Sequence, residues 1–179
     1  MIHPFLIGER IYLRKLELGD LEGYLDWMND QKVTKYMQMG IFPSNMEDME
    51  SYYKSIRGGL FLAIVKFGLD EHIGNIRLSS IHDTFRSAEI SILIGKEQGQ
   101  GYGTEAIKLL VDHCFMRMNI NRLEAGMVDA NIGCRRAFEK AGFINEGTRR
   151  SYYFCEGEYH NVYFYGLLKS DWERDRKHD

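Results

Sequence analysis

From Ala88 the chain reads Ala-Glu-Ile-Ser-Ile-Leu-Ile-Gly-Lys-Glu-Gln-Gly-Gln-Gly-Tyr-Gly-Thr-Glu-Ala-Ile107, an apolar strand-like run that enters the densest glycine cluster of the protein and leaves it as a helix. At a strand-loop-helix junction of this kind several backbone N–H groups lack intrahelical acceptors and point one way, with the positive end of the helix dipole behind them. That chemistry suits phosphate. Glycine at 99, 101 and 103 keeps side chains away from the main chain, so a pyrophosphate can approach it. A P-loop needs Gly-Lys-Ser/Thr at the helix start, where this chain has Gly103-Thr104-Glu105, so that reading fails. A dinucleotide fingerprint needs GxGxxG, but Gly99-x-Gly101 is followed three residues later by Thr104. A glycine-rich turn without a ligand stays open on these residues alone.

The flanking periodicities say what must position this loop. Ile11–Arg14 alternates as a short strand, and Asp20 precedes a helix with Leu21, Tyr24, Leu25 and Met28 on one side, broken at Asn29-Asp30. A second short helix and loop follow through Met39-Gly40, placing Met37 and Met39 to line a cleft. Ser44 or Asn45 caps a helix running to Ile56, ended by Gly58-Gly59. Leu60–Lys66, Ile73–Ser80 and Ala88–Ile94 then read as an antiparallel meander separated by turn-like segments. After the glycine loop, Ile107, Leu110, Val111, Cys114, Phe115 and Met118 fall at helical steps, with Glu105, Lys108 and Asp112 opposite. A strand over Arg122–Val128, a helix around Arg135–Ala141 closed by Gly142, and a hairpin from Glu146 to Leu168 turning at Glu156-Gly157 complete the order. This is mixed α/β of α+β type, not the alternation of a doubly wound sheet.

Composition narrows the function. With 179 residues, two prolines and no repeat or low-complexity segment, one domain over residues 1–179 is expected. A net charge of −3 gives no cationic field for nucleic acid or anionic membranes. The first residues carry charge too early for a signal peptide, and no apolar run is long enough to span a bilayer. Cys114, Cys134 and Cys155 form no CxxC pair, and the six histidines make no ligand spacing; reduced thiols, a cytoplasmic location and no metal are expected.

Gln98-Gly-Gln-Gly101-Tyr-Gly103 matches Gln/Arg-x-x-Gly-x-Gly/Ala, and Asn131-Ile-Gly-Cys-Arg-Arg-Ala-Phe-Glu-Lys-Ala-Gly-Phe143 follows at the next strand-to-helix junction. In these blocks the chain resembles the GNAT superfamily of N-acetyltransferases, from Ile11 to Trp172. The tail, with Glu146-Gly-Thr-Arg-Arg and Gly157-Glu-Tyr-His-Asn-Val, resembles the Rim-type (RimJ/RimL-like) branch. The resemblance implies a central, mostly antiparallel twisted sheet of about seven strands, splayed at the cofactor site and flanked by about four helices. It implies acetyl-CoA as co-substrate, with the pantetheine arm on the backbone of Ile92, Leu93 and Ile94. The pyrophosphate would rest on the amides of Gln98, Gly99, Gln100, Gly101, Tyr102, Gly103 and Thr104. Asn131 would bond the pantetheine arm or act as a plain helix cap, and the two roles are compatible.

The same resemblance implies direct transfer to a primary amine in a ternary complex, with no acetylated residue. The attacking amine must be neutral, so something has to take its proton. Glu89 is the candidate base, since alternation sets Glu89, Ser91 and Leu93 on one strand face and Ile90, Ile92 and Ile94 on the other; a surface carboxylate paired with Arg86 is the other reading. The tyrosine that many relatives use as acid is Phe138 here. Cys134 is then the candidate acid, or an inert thiol in the apolar stripe with Ala137, Phe138 and Ala141. Met39, Ser91 and Tyr153 are candidate acceptor contacts, with Tyr152 also in reach. The segments WMNDQKVTKYM and IGNIRLSSIHDTFRSAEISILIG look like relatives that acetylate amino sugars on nucleotide carriers. The acceptor is therefore an amino sugar or a protein N-terminus, and a polyamine would require a cleft lined by carboxylates. An acetyl-CoA-binding module without activity stays open, as does a homodimer.

Overall fold

Apolar alternation and helical periodicity are converted into one sheet with helices on both faces. A computed structural model describes residues 3–56 and 59–177 of the chain. The strands are β1 (Leu6–Ile7), β2 (Ile11–Lys15), β3 (Leu60–Lys66), β4 (Glu71–His82), β5 (Ser87–Ile94), β6 (Arg122–Val128), β7 (Ile144–Cys155) and β8 (Glu158–Leu168). The helices are α1 (Leu21–Asn29), α2 (Gln31–Thr34), α3 (Met46–Ser55), α4 (Tyr102–Arg117), α5 (Ile132–Lys140) and α6 (Lys169–Asp175). In the sheet the strands lie in the order β1-β2-β3-β4-β5-β6-β8-β7. Every neighbouring pair is antiparallel except β5 and β6. Those two run parallel and pair only at Ser87↔Arg122, Ala88↔Leu123 and Glu89↔Glu124, after which their C-terminal halves part.

The expected meander and the central helix are present. Among the described residues the sheet has eight strands against the expected about seven, and the chain has six helices against about four. The elements that the sequence did not signal are the two-residue β1 and the short C-terminal α6, both shorter than a periodic signal needs, while the short second helix is present as α2. Helix α5 begins three residues before the expected Arg135, because Asn131 caps it. At the end of α3 the amide of Gly59 donates to the carbonyl of Ile56 at 3.1 Å, while Gly58, expected to share that role, lies outside the described residues. The hairpin turns at Glu156 (φ 51°) and Gly157 (φ 85°), the left-handed pair that a two-residue turn demands.

Strand alternation divides the core in two. Ile11, Leu13, Leu62, Ile64, Ile76, Leu78, Ala88 and Ile90 face α4, whose Ala106, Ile107, Leu110, Val111, Cys114 and Phe115 are buried against them. Tyr12, Phe61, Ala63, Val65 and Leu93 face the other way, toward Leu21, Tyr24, Trp27 and Met28 of α1 and Met49 of α3. Each large apolar side chain taken from water stabilises by about 1.5–3 kcal/mol, so the α4 face alone fixes the helix firmly behind the loop it follows. On the α1 face a polar string runs through the core: Arg14 grips Asp20 with two bonds of 2.7 Å, and His72 bonds Asn75 at 2.9 Å.

Candidate active site

The glycine loop is held from three sides. The amides of Gly95 and Lys96 both donate to the carbonyl of Ile73, at 2.9 and 3.1 Å, turning the chain off the end of β5. Gly95 lies against the indole of Trp27, where a Cβ would come within 2.1 Å of the ring, so no other residue fits. Gly101 has φ 85° and forms the N-cap of α4, a left-handed conformation that glycine adopts without strain. The third support comes from the turn between β1 and β2. Glu105 accepts from the amides of Glu9 and Arg10 at 2.8 and 2.9 Å and from Arg10 Nε at 2.9 Å, and Arg10 Nη1 donates to the carbonyl of Gln100 at 2.9 Å. The Arg10 guanidinium lies 4.9 Å over the Tyr102 ring. The first amides of α4 are thus presented by a loop that cannot easily rearrange.

Across the parted strands stands α5. Asn131 accepts from the amide of Cys134 at 3.2 Å through its side-chain oxygen, the cap its position suggested. Burial pushes the Cys134 thiol up to about 11, so it holds its proton near neutral pH. Phe138 is buried and meets Phe143 edge-on at 5.0 Å, which makes it core and not cleft. Between loop and helix lies a cleft of about 420 Å³. Ile92, Leu93 and Ile94 form its floor, Gln98, Gly99, Gly101, Gly103 and Thr104 its loop side, and Asn131 and Cys134 its helix side. Ten of the residues read from the sequence are brought together in this one place.

Others are placed elsewhere. Gln100 and Tyr102 do not line the cleft, being engaged by Arg10 behind the loop. Met37 lines it, whereas Met39 packs on the α1–α3 core. Glu89 sits at the last rung before the strands part, beside Glu124 and on the same face, with Ser80 Oγ 3.5 Å from its carboxylate. Arg86, offered by the sequence as its ion-pair partner, donates instead to the carbonyl of Asn119. Ser91 is exposed on the Glu89 face. Tyr153 is half-buried near the hairpin tip, where burial, and after it Cys155, raise its hydroxyl above the ordinary value.

The sequence did not disclose the remaining wall. Lys32 and Val33 of α2, with Tyr36 beyond it, close one side, and Gly133, Arg136, Ala137 and Lys140 extend the other. The segment after α2 is fastened to the β7–β8 hairpin by the Lys35–Glu156 ion pair at 2.7 Å. Cys155 Sγ also donates to the Lys35 carbonyl at 3.2 Å. The signals were weak: one helical turn of mixed polarity, and cations on a helix whose outer face reads as solvated.

A loop of free amides, a parted strand pair and a capped helix opposite make a slot for an extended, phosphate-bearing ligand. Residues 10–144 match the family model described as an acetyltransferase (GNAT) domain. The chain belongs to the GNAT acetyltransferase family. It is 32% identical over 174 residues to an uncharacterised N-acetyltransferase, p20, of Bacillus licheniformis, covering 93% of this chain and 97% of that one. It is 28% identical to the spermidine N(1)-acetyltransferase of Vibrio cholerae, over 92% of this chain and 96% of the other. The crystal structure of a GNAT acetyltransferase from Bacillus anthracis superposes with a TM-score of 0.82 at 25% identity, covering 93% of this chain and 99% of that chain. This GNAT protein is accordingly an acetyl-CoA-dependent N-acetyltransferase. Among its described residues no helix is long and apolar enough to cross a membrane.

Proposed function

We propose that the chain acetylates a singly charged primary amine by direct attack within a ternary complex, with Glu89 receiving the amine proton. The observation that carries this reading is the parting of β5 and β6 just beyond the Glu89↔Glu124 rung. The parted backbone of Ile92–Ile94 offers main-chain partners to a pantetheine arm, the amides around Gly101–Thr104 suit its pyrophosphate, and Asn131 faces them across the cleft. Glu89 lies at the closed end of the gap, on the face opposite α4, so the acceptor approaches from that face.

The amine loses a proton to Glu89, directly or through a water, and its nitrogen forms a bond to the thioester carbon. The carbon–sulfur bond then breaks, the bonded nitrogen passes its second surplus proton to the leaving thiolate, and Glu89 releases the first to solvent. Cys134 supports that last stage by hydrogen bonding, not by full transfer. Burial holds the Cys134 thiol above an ordinary one, so giving its proton to a normal thiolate is uphill. Phe138 has no proton to offer, so the amine itself supplies the one the thiolate needs.

Among the described residues no aspartate or glutamate lines the cleft. This favours an amino sugar or a peptide N-terminus, as acetylated by Rim-type enzymes, over a polyamine. Polyamine acetylation is the second reading, favoured by the activity named for the Vibrio relative and by the adjacent Glu89 and Glu124 carboxylates. Initial rates with a nucleotide-linked amino sugar, spermidine and an N-terminal peptide separate these acceptors. In Glu89→Gln, kcat with the best acceptor falls about 100-fold while acetyl-CoA affinity holds. Full activity of that variant at every pH removes Glu89 from the mechanism.

A further inference from the structure

The sheet face that carries Glu89 also carries a charge without a counter-charge. In the β4–β5 register Arg77 lies opposite Ser91 and Ser79 opposite Glu89, so Arg77 is the diagonal neighbour of Glu89 on the face turned away from α4. Diagonal neighbours in an antiparallel pair stand about 7–8 Å apart, within reach of two long side chains. Arg14, Arg122 and Arg135, the other half-buried arginines among the described residues, face the carboxylates of Asp20, Glu146 and Glu139, whereas Arg77 has no ion pair, no hydrogen bond and no aromatic ring beneath it. On its β3 side Arg77 is paired in register with buried Phe61, against which Tyr24 and Tyr52 pack. On its β5 side Ser91 is exposed, as are Glu124 and Gly126 of β6 beyond it. The guanidinium therefore stands where the cover of α1 and α3 ends and the bare part of the face begins.

A cation partly withdrawn from water loses hydration and recovers it only from an anion or a set of acceptors. Pairing with Glu89 would supply one, but a carboxylate gripped by a guanidinium is a poorer base. The two groups are left apart, each free for a different end of one ligand. We infer that Arg77 binds an anionic group of the acceptor, a phosphate or a carboxylate, so that the substrate is a primary amine bearing its own negative charge several bonds from the nitrogen. The planar fork of arginine takes either anion through two parallel hydrogen bonds, and Ser91 offers its hydroxyl to the same group. A polyamine, with further positive charge in place of the anion, is repelled from this end. The inference rests on the acceptor approaching over the Glu89 face, as proposed above, and its test separates the two claims.

Two matched pairs of amines serve as probes: glucosamine with glucosamine 6-phosphate, and 6-aminohexanol with 6-aminohexanoate. Each is titrated calorimetrically into the whole protein loaded with coenzyme A, and its acetylation is followed with acetyl-CoA, for the wild type, Arg77→Gln and Arg77→Lys. The wild type favours the anionic member of at least one pair by about tenfold, in affinity and in kcat/KM, and the pair that responds tells phosphate from carboxylate. In Arg77→Gln the KM of that anionic amine rises to within about twofold of its neutral partner while kcat is retained. Arg77→Lys, which keeps the charge and loses the fork, recovers part of the preference. Undiminished acetyl-CoA binding shows that a variant is folded, and the lysine variant carries the comparison where the glutamine one is not. Equal affinity of the wild type for both members of each pair, or a preference that survives intact in Arg77→Gln, overturns the inference. Binding that depends on the anion and on Arg77, without acetylation of any probe, upholds the Arg77 subsite and defeats the chemistry assigned to Glu89.

Discussion

The two ends of the cleft are built differently. Around the glycine loop Arg10 and Glu105 make four bonds of 2.8–2.9 Å, and Trp27 fills the space at Gly95, so the loop amides are fixed before any ligand arrives. The opposite end, where α2 meets the β7–β8 hairpin, depends on one exposed ion pair and one thiol-to-carbonyl bond. Strand β7 there is exposed along most of its length and bulged between Arg149 and Tyr153. On the function proposed above, acetyl-CoA would meet a preorganised surface and the acceptor a loose one. Fixed donors lose no entropy when they bind, while a loose wall can adjust to different amines.

Breaking the firm end has the largest effect. Replacing Glu105 with alanine strands two amides and the Arg10 guanidinium at once. About 1–2 kcal/mol of stability is lost in urea titrations, and acetyl-CoA affinity falls about tenfold by calorimetry as the loop loosens. An affinity within twofold of wild type means that the loop does not depend on this brace. At the loose end, Lys35→Ala leaves the melting temperature and acetyl-CoA affinity unchanged but raises the acceptor KM about three- to fivefold with kcat retained. A matching loss in acetyl-CoA binding erases the contrast between the ends.

The smallest effect is a matter of pH and concerns the support behind Trp27. Burial, opposed by the Asp20 carboxylate and the Asn75 bond, holds the His72 imidazole below its ordinary value, and its ring lies 4.8 Å from the indole of Trp27. Below about pH 6.5 the unfolded chain binds a proton that the folded one refuses. This share of stability is therefore present above that pH and is lost as the pH falls. Between pH 7.5 and 5.5 the melting temperature of the wild type drops about 2 °C further than that of His72→Gln, read by calorimetry. Equal drops in the two proteins take His72 out of the pH response.

The firm end was also the legible end. Leu60–Lys66 is buried on both faces and stands out as a continuous apolar run, Ala88–Ile94 alternates with Ala88 and Ile90 turned toward α4, and α4 presents one unbroken apolar stripe. Phosphate chemistry needs glycine at the loop, and glycine is visible in any sequence. At the loose end the Glu156-Gly157 turn was readable, but the wall of the cleft was not. With both faces of β7 in solvent there is no alternation to read, and α2 is too short for a period. Arg136 and Lys140 have the types and spacing of a solvated helix face, and only the packing of α5 against the parted strands shows that they border a cleft. The parting itself depends on the parallel register of β5 and β6, a long-range pairing that local pattern does not encode.

The three-rung seam between those strands has a consequence for descent. The groups it leaves facing the gap belong to the main chain, and every amino acid except proline supplies the same donor and acceptor. Drift at Ile92, Leu93 or Ile94 that keeps a strand therefore keeps those main-chain groups, whatever the side chain becomes. Selection acts there on backbone shape and not on identity. A lineage could thus replace most of its side chains there and still inherit the same main-chain slot.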